Sequence, residues 1–566
     1  MRWKRGSCPV TVAPPPACAK GNAGRAASRA VDIGGLIPYP SGVDSWSLAI
    51  DAVERCLRAG IREFVICGGA RNAALIEALA RAEAAGHARL WRHFEERGAG
   101  FFALGRTLAT GLPCAVATTS GTAAAELLPA MIEARYQSRP LVALTADRPA
   151  THRGRGTPQA IDQLHLFGGC AFDGGLDAWD GLGPLHWNLG FEETFETGNE
   201  FFQDLRPGVF DAGWGAPDVA ALARWLRGGP AEGIAVMLGG LEPSEREEVF
   251  HFCRELGAPV AAEATSGLRE ALQGLVLHDA DRVLRAHAPR KILRLGDVPS
   301  GRFWRDLETM TGTEVWSVCR NGLPGLAREA KVTRGPADRV IRALGAIDPA
   351  GDALDLLESN ATRADRITEL LERHPDSEAS MVRMLSNYAS LGSGVFLGNS
   401  LPIREWNLFA QSRRPVMNVR ANRGANGIDG QLATWLGWSA DSAASWAVVG
   451  DLTALYDIAS PLMLHQIVAE GRVLVVIHNR GGRIFDRLPR LRGMSPRAIE
   501  CLTQPHDADL SVLARFWGMD HLRVATADEF DRFDPAAAGA VLLELAPDAD
   551  QTAAFWSDWD RMDDGA

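Results

Sequence analysis

This sequence of 566 residues has no CxxC motif and no long apolar run. Its nine cysteines are scattered, odd in number and never arranged as CxxC. This distribution argues against a disulfide framework or a zinc site and predicts reduced thiols in a cytoplasmic protein. No apolar run approaches the roughly 18 residues that a transmembrane helix needs. The motifs GxxxxGK(S/T), GxSxG and HExxH are absent as well, so nothing indicates a P-loop NTPase, a serine-hydrolase elbow or a zincin.

An excess of basic residues is missing too. The sequence has 59 Lys and Arg against 70 Asp and Glu, a formal net charge of −11. This balance argues against a general binder of nucleic acid or of anionic membranes, although it leaves room for a local basic pocket. The hydrophobic share of 46% and the charged share of 23% are typical of a globular protein. The length predicts two to four domains.

The first 43 residues differ from the rest. They are rich in Ala, Pro and Gly and have no apolar centre of about 7–15 residues, so a secretory signal is not indicated. We expect a disordered extension or a start codon placed too far upstream, with an Arg-rich organelle transit peptide as the alternative. The charged residues of this stretch are Arg2, Lys4, Arg5, Lys20, Arg25 and Arg29 against the single acid Asp32.

From Asp44 onward, short apolar runs alternate with glycine-rich loops and with segments of helical periodicity. This order predicts an α/β protein built on parallel sheets that are covered on both faces. We predict three doubly wound domains, at 44–200, 201–350 and 351–566, with a Gly- and Pro-rich boundary over 201–230. The predicted strands lie in REFVICGG, LPCAVATTSG, RPLVALTADRP, AVMLGG, PVAAEA, KILRLG, GVFLGNS, PVMNVRA, WAVVGD and VLVVIHN.

Two of these strands end in residues suited to a metal. WAVVGD ends at Asp451, and VLVVIHN ends at Asn479, with a helix predicted between them in ASPLMLHQIVAEG. Neighbouring parallel strands would bring the carboxylate and the amide oxygen to one edge of the sheet, where a carbonyl of the turn at Gly481 adds a third oxygen ligand. Mg²⁺ is commonly held by few protein oxygens together with phosphates. Taken singly, Asp451 is explained as a helix cap and Asn479 as a turn residue, but their spacing favours the metal site.

This pattern resembles the diphosphate-and-metal motif of thiamine-diphosphate enzymes. The resemblance implies a second carboxylate, which a different domain supplies to the aminopyrimidine ring of the cofactor. Glu96 in HFEERGAG matches that catalytic glutamate. An acidic residue in such a run is otherwise an ordinary solvated helix start. Because Glu96 and Asp451 lie in separate domains, the resemblance also implies sites at a subunit interface and at least a homodimer, with a homotetramer left open.

Further segments resemble one branch of the family, the 2-succinyl-5-enolpyruvyl-6-hydroxy-3-cyclohexene-1-carboxylate synthases of menaquinone biosynthesis. The resemblance covers residues 44–566 and implies a pyrimidine-binding, a central and a diphosphate-binding domain. It further implies a transferase that uses thiamine diphosphate with Mg²⁺ or Mn²⁺, decarboxylates 2-oxoglutarate and adds the product to isochorismate. The segments are FEERGAGFFALG, TSGTAAAELLPAMIEA, LTADRP, PQAIDQLHLFG, GNSLPIR, NRGANGIDG, GDLTALYD and NRGGRIF.

The resemblance implies a set of site residues. Two dicarboxylate substrates require several arginines, whose planar fork pairs carboxylates; each of them alone is explained as a surface residue. Ile428 aligns with the residue that bends the cofactor, although an ordinary core Ile is the alternative. The implied cofactor contacts are Glu96, Ser120, Ile428, Gly450, Asp451, Leu452, Asn479, Gly481 and Ile484; the metal ligands are Asp451, Asn479 and Gly481. The implied substrate contacts are Arg71, Arg148, Gln159, Arg302, Ser400, Arg404 and Arg423.

Some positions depart from the family pattern. Ala70 and Asn72 flank Arg71 where hydroxyl residues are usual, Gly301 precedes Arg302 where a Lys is frequent, and residues 170–184 form a shorter stretch than in relatives. These departures affect substrate contacts more than the cofactor motif. Two alternatives therefore stay open: another thiamine-diphosphate carboligase, such as an acetolactate synthase relative, and a non-catalytic paralogue.

Overall fold

The computed structural model describes residues 44–562 except 153, 193, 199–201, 203–204, 228–232, 350–353, 390–393, 412–415, 469, 492 and 534–538. The predicted basic extension over 1–43 lies outside the described residues. Among the described helices, none combines the length and the apolar character that crossing a membrane requires. Seven of the nine cysteines lie in the described part, and all seven are free.

The first sheet has six parallel strands. Residues that are neighbours along one strand, such as Phe64 and Val65, belong to different hydrophobic cores, so the sheet is buried on both faces. The strands are β1 (Glu63–Ile66), β2 (Arg89–Arg92), β3 (Cys114–Thr118), β4 (Leu141–Asp147), β5 (Phe172–Asp173) and β6 (Leu185–Gly190), in the spatial order β2-β1-β3-β4-β6-β5. The accompanying helices are α1 (Ser45–Arg58), α2 (Ala73–Ala84), α3 (Glu96–Thr110), α4 (Thr122–Ala125) and α5 (Leu128–Gln137).

The second sheet has five strands, again all parallel. Its strands are β7 (Ile234–Leu238), β8 (Val260–Ala262), β9 (Lys291–Leu295), β10 (Glu314–Cys319) and β11 (Lys331–Arg334), in the order β11-β10-β9-β7-β8. The helices of this region are α6 (Ala220–Arg227), α7 (Pro243–Leu256), α8 (Ala280–Ala286), α9 (Arg302–Asp306) and α10 (Ala337–Leu344).

The third sheet has six parallel strands. They are β12 (Val395–Leu397), β13 (Val419–Arg420), β14 (Ser445–Gly450), β15 (Arg472–Ile477), β16 (Asp520–Val524) and β17 (Ala540–Leu545), in the order β13-β12-β14-β15-β17-β16. The helices are α11 (Leu354–Arg373), α12 (Glu378–Ala389), α13 (Leu401–Phe409), α14 (Gln431–Ser439), α15 (Asp451–Tyr456), α16 (Pro496–Thr503), α17 (Leu510–Trp517) and α18 (Ala549–Arg561). The predicted α/β class with three parallel sheets is confirmed, while the boundaries at 200 and 350 stay a prediction.

The first and third sheets share one hydrophobic core, which α3 and α14 form between them. The two helices approach closely because glycines stand at their crossing. A Cβ on Gly105 would lie 2.2 Å from the carbonyl oxygen of Thr434, and one on Gly437 would lie 2.1 Å from that of Phe102. Larger side chains at either position would force the helices apart and open the shared core.

The structure corrects two predicted helices. The helix predicted in ASPLMLHQIVAEG is reduced to a 3₁₀ segment over Ser460–Gln466, and α15 precedes it. The helix predicted in TAAAELLPAMIEARYQ is divided into α4 and α5. Pro129 stands in the first turn of α5, where its missing N–H is tolerated, and it cannot continue a helix from α4. The predicted boundary stretch also contains a helix, α6.

Candidate active site

The carboxyl edge of the third sheet brings together the residues that the sequence predicts to bind the metal. Strands β14 and β15 are direct neighbours, with Gly450 opposite Ile477. Asp451, which begins α15, is only 1% exposed. Its Oδ2 accepts a hydrogen bond from the backbone N–H of Gly481 at 3.0 Å, so the turn after β15 is fastened to the end of β14. Asn479 lies two residues beyond β15 in the same turn.

The side-chain amide of Asn479 is held from behind by a buried acid that the sequence analysis missed. Its Nδ2 donates to both carboxylate oxygens of Glu378, at 3.1 and 2.9 Å. Glu378, on α12, is 2% exposed, and Glu405, on α13, is 1% exposed. Burial raises the pKa of Glu378, and burial together with the nearby Glu378 charge raises the pKa of Glu405 well above its ordinary value. The sequence offered one signal for these two buried acids: each stands in a helix with many apolar residues.

Two histidines lie at the same edge. The ligating atoms of Asp451, His478 and His506 all lie within 4.8 Å of one another, with His506 Nε2 at 3.4 Å from Asp451 Oδ2. His478 Nδ1 is 2.9 Å from Glu544 Oε1. Burial alone would raise the pKa of Glu544, but hydrogen bonds from His478 and His521 lower it to about 2. Sequence analysis singled out none of these side chains.

The residues at this edge fit a divalent cation with a diphosphate. The predicted ligands, Asp451, Asn479 and the Gly481 carbonyl, would provide the hard oxygen atoms that Mg²⁺ prefers. Within the described ranges, Nε2 of His478 is buried without a hydrogen-bond partner, and Nε2 of His506 is buried at 3.4 Å from Asp451 Oδ2 without a hydrogen bond. Such orphaned polar atoms are costly unless something binds them, and a phosphate group is a suitable acceptor.

Glu96 begins α3 in the first domain and is half-buried. Burial raises the pKa of its carboxyl, and the charges of Glu95 and Glu126 raise it further. The adjoining Arg97 pairs with Asp457 at 2.9 Å and covers the ring of Tyr456. These partners lie at the end of α15 opposite to Asp451, about 9 Å along a helix of this length. One chain therefore places Glu96 beside the far end of α15.

Ser120 follows β3 in a buried segment of hydroxyl residues. The hydroxyls of Thr118 and Thr119 are buried and lack a hydrogen-bond partner among the described residues. The neighbouring Gly121 donates its N–H to the side chain of the fully buried Gln163 at 2.8 Å. This polar lining fits a cofactor ring. Gln163, which is part of it, was not among the predicted site residues. The remaining predicted cofactor contacts are placed as follows: Gly450 ends β14, Leu452 lies in α15, Ile428 is half-buried between β13 and α14, and Ile484 lies in a 3₁₀ segment, Arg483–Arg487.

Two of the predicted substrate arginines, Arg302 and Arg404, line one cavity of about 220 Å³ between the second and third sheets. Burial lowers the pKa of Arg404, and the positive charges of Arg423 and Arg305 lower it further, whereas the acids Glu263 and Asp281, which line the same cavity, act in the opposite direction. Arg423 is itself 8% exposed and donates to Asn399 Oδ1 at 2.9 Å. The carbonyl of Ser400, at φ +75°, accepts a hydrogen bond from Arg404.

One departure from the family pattern is Gly301, which stands where a Lys is frequent. Arg305, which was not predicted, supplies a positive charge nearby. A Cβ on Gly301 would lie 2.6 Å from an Asp281 carboxylate oxygen, so a larger residue requires Asp281 to move. Arg305, one helical turn after Arg302, lines the same cavity and supplies a second positive charge there.

The other predicted substrate contacts belong to the first domain. Arg71 is buried and donates to the carbonyl of Phe191 at 3.0 Å. Arg148 follows β4, and its Nε donates to the carbonyl of Pro158 at 3.1 Å. Gln159 is exposed, with a positive φ of 54°. The Asn72 amide is occupied within its own loop, accepting from the Gly69 N–H and donating to the Cys67 carbonyl.

Two buried acids, one in the first domain and one in the third, hold the backbone around the loop that carries Arg423. The Glu133 carboxylate, 3% exposed on α5, accepts hydrogen bonds from the backbone N–H groups of Gly424 and Ala425 at 2.6 and 2.7 Å. Asp457 accepts the N–H groups of Gly430 and Leu432 at 2.8 and 3.0 Å. Neither acid was predicted.

Comparisons with known proteins agree with this geometry. Residues 49–166 match the family described as "Thiamine pyrophosphate enzyme, N-terminal TPP binding domain". A protein of Akkermansia muciniphila named 2-succinyl-5-enolpyruvyl-6-hydroxy-3-cyclohexene-1-carboxylate synthase is 48% identical over 513 residues, 88% of this chain and 96% of the relative. The chain belongs to this family of synthases. Synthases of the same name from Bdellovibrio bacteriovorus and Sorangium cellulosum are 35% and 30% identical, over 91% and 89% of this chain and 98% and 94% of their own lengths.

Membership of the synthase family confirms the predicted resemblance. The protein is an enzyme of the thiamine-diphosphate-dependent class and a transferase. The relatives do not favour the acetolactate synthase alternative or the non-catalytic one. The roles of single site residues, the metal and the oligomeric state stay predictions.

Proposed function

We propose that this synthase decarboxylates 2-oxoglutarate and adds the resulting four-carbon unit to isochorismate. The product would be 2-succinyl-5-enolpyruvyl-6-hydroxy-3-cyclohexene-1-carboxylate, an intermediate of menaquinone biosynthesis. The observation that carries the proposal is the cavity lined by Arg302, Arg305 and Arg404 together with the acids Glu263, Asp279 and Asp281, with the charge of Arg423 near enough to act on Arg404. Two substrates with two carboxylates each need such a concentration of positive charge, and Arg binds carboxylates with two parallel hydrogen bonds.

Thiamine diphosphate, when bound, supplies the carbanion chemistry that an amino-acid side chain cannot provide. Asp451, Asn479 and the Gly481 carbonyl would hold Mg²⁺ or Mn²⁺, with the cofactor diphosphate against Gly450, Leu452 and Ile484. Ser120 and Ile428 would contact its rings. The buried Nε2 atom of His478 would donate to a phosphate oxygen.

Glu96 would act as the proton-carrying group. Its raised pKa keeps a larger fraction of the carboxyl protonated near neutrality than in water. A carboxyl of this kind can donate a proton to an adjoining ring nitrogen and take it back, as a general acid–base partner does.

Substrate binding would be shared between the domains. Arg302, Arg404, Arg423 and Ser400 would hold carboxylates from the central and third domains. Arg71, Arg148 and Gln159 would complete the pocket from the first domain of a partner subunit, together with Glu96. The support for this arrangement is that one chain places Glu96 beside the end of α15 opposite to Asp451. We therefore propose a homodimer or homotetramer with sites at its interface, located in the cytoplasm, with domains 44–200, 201–350 and 351–566.

Release of carbon dioxide from different 2-oxo acids tests the substrate assignment. We expect the protein with thiamine diphosphate and Mg²⁺ to decarboxylate 2-oxoglutarate in preference to pyruvate, because only 2-oxoglutarate carries a second carboxylate for the arginines. Arg404→Ala should raise the KM for 2-oxoglutarate by about 10-fold or more, the value of one lost charge-assisted hydrogen bond. A preference for pyruvate would refute the assignment and favour a carboligase of the acetolactate synthase type.

A further inference from the structure

The contact between Asn479 and Glu378 fixes which atom of the amide faces the metal site. An amide has one oxygen acceptor and one NH₂ donor group, and here the NH₂ group is the one that meets Glu378. Because Glu378 takes two contacts with Nδ2, at 3.1 and 2.9 Å, the Asn479 oxygen must point away from Glu378. Asn479 begins the turn that leads to Gly481, and Asp451 fastens this turn by accepting the Gly481 N–H.

We propose that Glu378 is a positioning residue, which holds the Asn479 amide in the orientation that presents Oδ1 to the divalent cation. The inference rests on the proposed function for the assignment of Asn479 as a metal ligand. Outer partners of this kind orient ligands and are commonly worth 10- to 100-fold in metal affinity. Glu378 comes from α12, far from β15 in sequence, and connects the start of the third domain to its metal edge.

The surroundings of Glu378 argue against a role in stability alone. Glu378 and Glu405 are buried carboxyl groups next to each other, at 2% and 1% exposure. The charge of Asp451 acts on Glu378 as well. Concentrating acids in an apolar interior is unfavourable for folding, since each loses water and the charges repel. Such an arrangement is retained where it serves a site, at some cost in stability.

Calorimetric titration with Mg²⁺ of the full-length protein, at saturating thiamine diphosphate, tests the proposal. In Glu378→Gln, the new amide can donate to Asn479 Oδ1 and so favours the flipped orientation, with NH₂ toward the cation. We expect the Kd for Mg²⁺ to rise by about 10- to 100-fold. The melting temperature of the cofactor-free variant should not fall, since one of two adjacent buried acids is gone.

Glu405→Gln is the control, because it makes the same change at an equally buried side chain that lies against Glu378 but, among the described contacts, does not reach Asn479. We expect its Kd for Mg²⁺ to stay within about twofold of the wild type, a difference below 0.5 kcal/mol. The proposal is overturned by an unchanged Kd in Glu378→Gln, by an equal loss of affinity in both variants, or by a loss that accompanies a lower melting temperature.

Binding of Mg²⁺ and thiamine diphosphate to the wild type distinguishes a failure of this inference from a failure of the proposed function. If the wild type binds Mg²⁺ and thiamine diphosphate but Glu378→Gln does so equally well, only the positioning role fails. If the wild type binds neither, the proposed function fails with it. Should Glu378→Gln not fold, a crystal structure of the wild type with Mg²⁺ and thiamine diphosphate decides the matter. Asn479 Oδ1 on the cation with Nδ2 on Glu378 supports the proposal, and a Glu378 turned away from Nδ2 overturns it.

Discussion

Replacing Glu133 by Gln tests how the first domain controls the substrate loop of the third. The Glu133 carboxylate uses one oxygen for the Gly424 N–H, at 2.6 Å, and the other for the Ala425 N–H, at 2.7 Å. A glutamine can accept only one of these hydrogen bonds, because its NH₂ group would face the second donor. The loop that is loosened carries Arg423.

The lost interaction is a hydrogen bond to a buried charged group, worth about 1.5–3 kcal/mol. If all of this free energy is lost from the interaction of Arg423 with the substrate, kcat/KM falls by roughly 10- to 150-fold, since 1.4 kcal/mol corresponds to a factor of ten. Steady-state kinetics with each substrate in turn would measure the effect. Glu54→Gln, which removes a surface ion pair with Arg58 on α1, serves as the control and should change kcat/KM by less than about twofold. Wild-type kinetics in Glu133→Gln would refute the reasoning.

Three further changes test other parts of the account. Glu96→Gln should leave the fold and cofactor affinity intact but abolish turnover, because an amide cannot exchange the proton; full activity would contradict the assignment. Asp451→Ala should weaken Mg²⁺ and thiamine diphosphate together in calorimetry, and an unchanged cofactor affinity would exclude the metal role. Burial raises the pKa of Asp457 from 3.8 to about 6, so the folded protein holds this proton more tightly than the unfolded chain. As pH rises from about 3 to 7, the wild type should therefore lose about 3 kcal/mol relative to Asp457→Asn. Parallel melting temperatures of the two proteins across this range would show that Asp457 does not titrate in this way.

The metal edge was predictable because of the geometry of parallel sheets. Strand ends of β14 and β15 meet at one edge whatever the rest of the molecule does, so Asp451 and Asn479 could be paired from their spacing. Strands with continuous apolar sequence, such as β14 and β15, were also predictable. Edge strand β16, DHLRV, has no such pattern and was missed. The central strand β17, AVLLEL, was also missed, although its sequence is mostly apolar.

The long-range supports of the site were not predictable. Glu378, Glu133 and Asp457 are ordinary acids in their local sequence, and their partners lie 101, 291 and 27 residues away. Their burial results from tertiary packing, which the local sequence does not show. The helix predicted over ASPLMLHQIVAEG formed only as the 3₁₀ segment Ser460–Gln466.

The shared core of the first and third sheets gives the account its structural basis. Because α3 and α14 cross at Gly105 and Gly437, the two domains form one packed body, and Glu96 at the start of α3 is held at a fixed distance from the third domain. A partner subunit could then receive Glu96 in a rigid position.

The central claim is most directly tested by incubating the protein with thiamine diphosphate, Mg²⁺, 2-oxoglutarate and isochorismate and analysing the product by mass spectrometry. The account predicts a product with the mass of isochorismate plus 2-oxoglutarate minus carbon dioxide, formed only when all four components are present. A product that incorporates pyruvate instead, or turnover that does not require thiamine diphosphate, would contradict it.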